Sequence, residues 1–151
     1  MSKLTLEIKP KQGLGELEFG EIPENVTRLI GEPQSAEEIS TDDDLKTTIL
    51  TFENGITVFL EGLIEPVVSN LDIDNKEAVL FGKKVFEMDE SAILALMAEN
   101  GFTIIEKEEE EWGETRVTFE DALLDFYFVE GKVAAISWGV MVNDDGSISV
   151  S

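Results

Sequence analysis

Leu123-Leu124-Asp125-Phe126-Tyr127-Phe128-Val129-Glu130-Gly131-Lys132-Val133 is the stretch on which the reading of the fold turns. Leu124, Phe126 and Phe128 alternate with Asp125, Tyr127 and Val129, the period of two that a strand imposes on its faces. The polar member of the second set sends it outward and leaves Leu124, Phe126 and Phe128 for the core. Glu130-Gly131 then interrupts the run, and Val133 to Val140 resumes it, so the segment reads as a hairpin. An earlier segment answers it. Thr48 to Glu53 leads into Asn54-Gly55 and on to Ile56–Leu60, with Ile56, Val58 and Leu60 inward and Thr57 and Phe59 outward. Phe52-x-x-Gly55 matches Phe128-x-x-Gly131.

Working outward, each hairpin is preceded by a short helical pattern. Val26, Leu29 and Ile30, and later Ile93, Leu96 and Met97, sit at i, i+3 and i+4, one face of a helix. Gly31 with Pro33 stops the first, and Asn100-Gly101 the second. Each helix follows a G-x-x-x-F segment, Gly15 to Phe19 and Gly82 to Phe86. Further strands are expected near Ser35–Ile39, Val67–Ile73, Phe102–Lys107 and Glu114–Phe119. The order predicts an α+β fold made of two tandem helix-plus-antiparallel-sheet repeats, residues 9–74 and 77–141, fused into one domain of 1–151 with a short tail at 142–151. Neither copy alone buries a full core. Asp72 to Lys76 marks the join.

Composition narrows function. The 151 residues carry 33 Asp+Glu against 11 Lys+Arg, a formal net charge of −22, shared evenly by the two halves. Such a field repels nucleic acid and anionic membrane surfaces, whose contacts need clustered Lys and Arg. It steers a basic protein inward. Histidine and cysteine are both absent. No Ser-His-Asp or Cys-His relay, no thiolate and no imidazole or thiolate metal ligand is available. Asp42-Asp43-Asp44, Asp72-x-Asp74 and Asn143 to Ser147 lack the ligand ladder of a calcium loop, so no metal site is expected. Carboxylate pairs select no catalytic centre, because so many acids guarantee some pair at any separation. Gly13-x-Gly15 lacks the third glycine and the setting of a dinucleotide site. No cofactor and no enzymatic activity are expected. The segment Met1 to Glu7 has no apolar run, so a cytoplasmic location is the expectation.

Glu106, Glu108, Glu109, Glu110 and Glu111, interrupted by Lys107 and ending at Trp112, form the densest charge run. It reads either as a solvated hairpin loop or as a docking patch in which carboxylates meet Arg and Lys around a tryptophan anchor. Asp125, Tyr127 and Phe59, turned outward on their strands, are the remaining candidates for partner binding, unless a loop covers them.

Gly13-Leu14-Gly15-Glu16-Leu17-Glu18-Phe19-Gly20, Pro23-Glu24 with Val26, and Leu29-Ile30-Gly31-Glu32-Pro33 resemble the opening of a group of small bacterial proteins. Val79 to Phe86 resembles a second element of that group. The first helix motif is also similar to that of the outer-membrane assembly lipoprotein BamE, whose superfamily includes the tandem-repeat β-lactamase inhibitory protein. The resemblance implies a fold of that type in duplicate and a bias toward protein recognition. It departs from the pattern at Glu21-Ile22, where a helix cap is usual, and in lacking a lipidation cysteine. Together these readings point to an immunity or inhibitor protein that neutralises a basic bacterial toxin, plausibly a nuclease, by occlusion, acting as a monomer or weak homodimer. The alternatives are a structural module that self-associates and an orphan binding domain of the same fold.

Overall fold

The structure, a computed structural model, describes residues 5–40, 46–53, 55–62, 66–110, 113–142 and 148–149. The chain begins with three short strands, β1 (Glu7–Lys9), β2 (Gly13–Leu14) and β3 (Leu17–Glu18), and the helix α1 (Pro23–Ile30). Four strands follow: β4 (Ser35–Ser40), β5 (Lys46–Thr51), β6 (Ile56–Gly62) and β7 (Val67–Ile73). A second passage has β8 (Val79–Leu80), β9 (Lys83–Lys84), one 3₁₀ turn at Val85–Glu87 and the helix α2 (Glu90–Glu99). Then come β10 (Ile105–Glu109), β11 (Glu114–Phe119), β12 (Leu124–Val129) and β13 (Lys132–Gly139), and last β14 (Met141–Val142) with β15 (Ile148–Ser149).

Eight of these strands form one antiparallel sheet in the order β10-β11-β12-β13-β7-β6-β5-β4. Each half of the chain supplies four consecutive strands, and the halves meet where β13 pairs with β7. A five-stranded sheet, β3-β2-β1-β8-β9, joins the halves a second time through the parallel pair β1–β8. One apolar core takes Val58, Leu71, Val117, Phe126 and Ile136 from the large sheet, Ile8, Leu14 and Leu80 from the small one, and Val26, Ile93 and Met97 from the helices. Trp138 is fully buried and donates its indole N–H to the Gly13 carbonyl at 2.9 Å, tying the large sheet to the β1–β2 turn.

The expected α+β architecture of two helix-plus-sheet repeats is thereby corrected. Among the described residues strands dominate, thirteen of them in two sheets, against two helices of eight and ten residues. The glycine-rich segments explain much of the error. They looked like lead-ins to helices, yet they fold as β2, β3, β8 and β9. Gly13 and Gly15 have positive φ and leave no room for a Cβ, which would collide with the Leu17 and Thr5 carbonyls. The helices, meanwhile, bury little: Val26 and Ile30 from α1, and Ile93, Leu96 and Met97 from α2. Asp89 caps α2 by accepting from the Ala92 N–H at 2.9 Å, whereas Ile22 gives α1 no side-chain cap.

The hairpin reading of the quoted stretch agrees with the structure. Leu124, Phe126 and Phe128 are buried, as are Ile56, Val58 and Leu60. Glu130 and Gly131 both have positive φ, at 55° and 81°, as a two-residue turn of matching twist requires. Asp72 falls inside β7 rather than in a connector. The strand expected at Phe102–Lys107 begins instead at Ile105. Phe102 closes α2, its N–H bonded to the Met97 carbonyl at 2.9 Å and its ring stacked on Phe81.

Candidate functional site: the polar face of the large sheet

Register decides what the outer face of the eight-stranded sheet displays. Directly paired residues share a face. One row runs across all eight strands: Ser35, Thr51, Thr57, Asp72, Ser137, Asp125, Thr118 and Glu106. Every member is a hydroxyl or a carboxylate. Beside it on the second half of the sheet lies a row of Ala135, Tyr127, Arg116 and Glu108. Beside it on the first half lie Glu37, Ile49, Phe59 and Asn70, leading to Gly139. Arg116 is the only cation in these rows.

The centre of the face is a bonded network. Thr118 donates its hydroxyl to Asp125 at 2.5 Å, and Asn70 donates its amide to the Ser137 hydroxyl at 3.2 Å. Ser137 in turn hydrogen-bonds Asp72. One Asp72 carboxylate oxygen, Oδ1, is buried without a hydrogen-bond partner. Burial raises the Asp72 pKa above the usual aspartate range, the Ser137 hydrogen bond opposes this, and the Asp125 charge adds to it. Tyr127 is also pushed up, first by burial and then by Asp125 and Asp72, while Arg116 pulls it back. Arg116 is held more strongly protonated by Glu108, whose carboxylate its guanidinium meets at 2.6 Å.

The sequence-predicted partner residues distribute unequally over this geometry. Glu106, Glu108, Asp125, Tyr127 and Phe59 all stand on the outer face. Glu109 points to the opposite side of β10 and shares Lys107 with Glu90 of α2, at 3.8 Å and 2.9 Å respectively. Glu110 lies just past the strand, its N–H bonded to the Glu114 carbonyl at 2.7 Å. Glu111 and Trp112 lie outside the described residues, as do Asp42 to Asp44 and Asn143 to Ser147. The glutamate run is therefore not simply a solvated hairpin loop. Glu106, Glu108 and Glu109 belong to an edge strand whose five residues are all exposed. Sequence reasoning missed Asp72, Ser137, Asn70, Thr118 and Arg116. The available signal was alternation within β7, β11 and β13; the pairing that makes them one row was not readable.

The described residues contain no cluster of three or more carboxylates placed to hold a metal ion, and no helix long and apolar enough to cross a membrane. No family model matches the chain, and no curated protein matches it. Among solved structures it is similar to an extracellular protein containing an SCP domain from Bacillus anthracis, at 14% identity and a TM-score of 0.48. The match covers 87% of this chain and 49% of that one, so this chain spans about half its length.

Proposed function

We propose that this chain is an acidic protein-binding protein that docks a basic protein on the outer face of its large sheet. The observation that carries this reading is the eight-strand row of hydroxyls and carboxylates, with Glu106, Glu108, Asp125, Tyr127 and Phe59 on the same face. Carboxylates supply long-range attraction, and Tyr127 and Phe59 supply apolar contact area at low entropic cost. The net charge of −22 and the absence of histidine and cysteine support binding over catalysis. In its most specific form, the partner is a basic toxin, plausibly a nuclease, blocked by occlusion in the cytoplasm.

Self-association through sheet edges is the competing reading. Both edges of the large sheet argue against it. β4 carries Glu37 and Glu38, and β10 carries Glu106, Glu108 and Glu109, so edge-to-edge pairing of two copies sets like charges against each other.

The test is co-expression with a basic, growth-inhibiting protein encoded beside this one. Rescue of growth is expected, together with a complex whose association slows when Glu106 and Glu108 are both changed to Lys, the slowing fading as salt is raised. Equal killing with and without the chain ends the toxin reading for that pair. An on-rate indifferent to the charge reversal moves the interface off this face.

A further inference from the structure

Where the β7–β13 seam meets the start of β12, a cavity of about 250 Å³ opens on the outer face, lined by Asn70, Thr118, Leu123, Asp125, Gly139 and Val140. Its hydrogen-bonding character is one-sided. Thr118 spends its hydroxyl proton on Asp125, and Asn70 spends one of its two amide N–H groups on Ser137. The Gly139 N–H goes to the Leu123 carbonyl at 3.2 Å and the Val140 N–H to the Ser69 carbonyl at 3.0 Å. These donors are satisfied within the protein. The acceptors left to a guest are the second Asp125 oxygen and the Asn70 amide oxygen, which lies where a Gly139 Cβ would otherwise stand. Leu123 and Val140 add apolar wall. Leu123 is held at a φ of 53°, a conformation a leucine adopts only when its surroundings impose it.

A cavity with one carboxylate, an amide oxygen and an apolar wall, and with a single amide N–H left to donate, repels an anion and offers little to a group that must be given several protons. It suits a group that is all donor and cationic, carried on a methylene stem. A guanidinium has five N–H donors in a planar fork and no acceptor, so it reaches a carboxylate and an amide oxygen together. We infer that this cavity is the anchor pocket for one arginine side chain of the basic partner. The inference rests on the reading of the outer face as a docking surface, and narrows it to a point.

The experiment is a titration of the isotope-labelled chain with Nα-acetyl-arginine amide, followed by backbone amide shifts, with the neutral citrulline analogue as control. Saturating shifts are expected at Asn70, Thr118, Leu123, Asp125, Gly139 and Val140, and none of comparable size with citrulline. Asp125→Asn, which removes the charge and keeps the shape, is expected to weaken the arginine probe by about tenfold or more, as for loss of a charge-assisted bond. Glu99→Gln removes the same charge from the exposed side of α2, away from the docking face, and is expected to leave affinity within about twofold, the scale of a screened surface charge. Shifts that never saturate, that spread evenly over the acidic surface, or that citrulline reproduces overturn the pocket. The wild-type shift map decides this even if Asp125→Asn unfolds. Should the probe ignore the cavity while a basic protein still docks on the sheet, the pocket falls and the docking face stands.

Discussion

The two faces of the large sheet use the same backbone for opposite ends. On β12, Phe126 is wholly buried and Tyr127, one residue on, stands half-exposed on the other side. The inner face is closed by apolar side chains and by Trp138, whose indole N–H has its partner, with Phe126 flanked edge-on by Phe119 at 5.7 Å and stacked on Phe128 at 6.1 Å. The outer face holds polar groups that need partners and do not all find them, Asp72 Oδ1 being the buried exception. A face that merely kept the protein soluble would not need a carboxylate such as Asp72 sunk among strands. Burying it costs stability, and the cost falls on the surface proposed to meet a partner.

The contrast is sharpest in neighbouring substitutions. Phe126→Ala is expected to cost about 3–5 kcal/mol in chemical denaturation, the penalty for emptying a packed aromatic site. Tyr127→Ala, on the facing side, is expected to cost about 1 kcal/mol and to act chiefly on partner affinity. Equal losses at the two positions would mean that the outer face is core as well. Asp72 gives a test with a sign. Its folded-state pKa is raised, so the native chain holds its proton to higher pH than the unfolded chain does. Its contribution to stability is present below the ordinary aspartate pKa and is lost as pH rises through the raised value. Asp72→Asn is therefore expected to raise the melting temperature by a few degrees at neutral pH, with the gain over wild type shrinking as the solution is acidified through that window. A gain that grows on acidification contradicts the burial argument. Smallest is Glu108→Gln. The Arg116–Glu108 pair is roughly half exposed, so its loss is expected to change stability by no more than about 0.5 kcal/mol and by less in high salt.

How much of this was legible beforehand depends on the range of the signal. Alternation placed Leu124, Phe126, Phe128, Ile56, Val58 and Leu60 in the core, because a strand's two-residue period is written in adjacent positions. Spacing of three and four placed Ile93, Leu96 and Met97 on the buried side of α2 for the same reason. The glycine-rich segments misled, since a positive φ at Gly13 or Gly82 is compatible with a tight hairpin as well as with a lead-in to a helix.

From the chain alone came the strand faces, the turns at Gly55 and Glu130-Gly131, the negative field and the absence of imidazole and thiol chemistry. These depend on residue type and on neighbours within a few positions. Tertiary structure alone decided that strands outweigh helices, that Glu106, Glu108 and Glu109 lie on an edge strand, and that Asp72, Ser137, Asp125 and Thr118 form one row. Pairing brings together positions more than fifty residues apart, and a one-residue slip in register sends every side chain of a strand to the other face, so the row exists only once the sheet has closed.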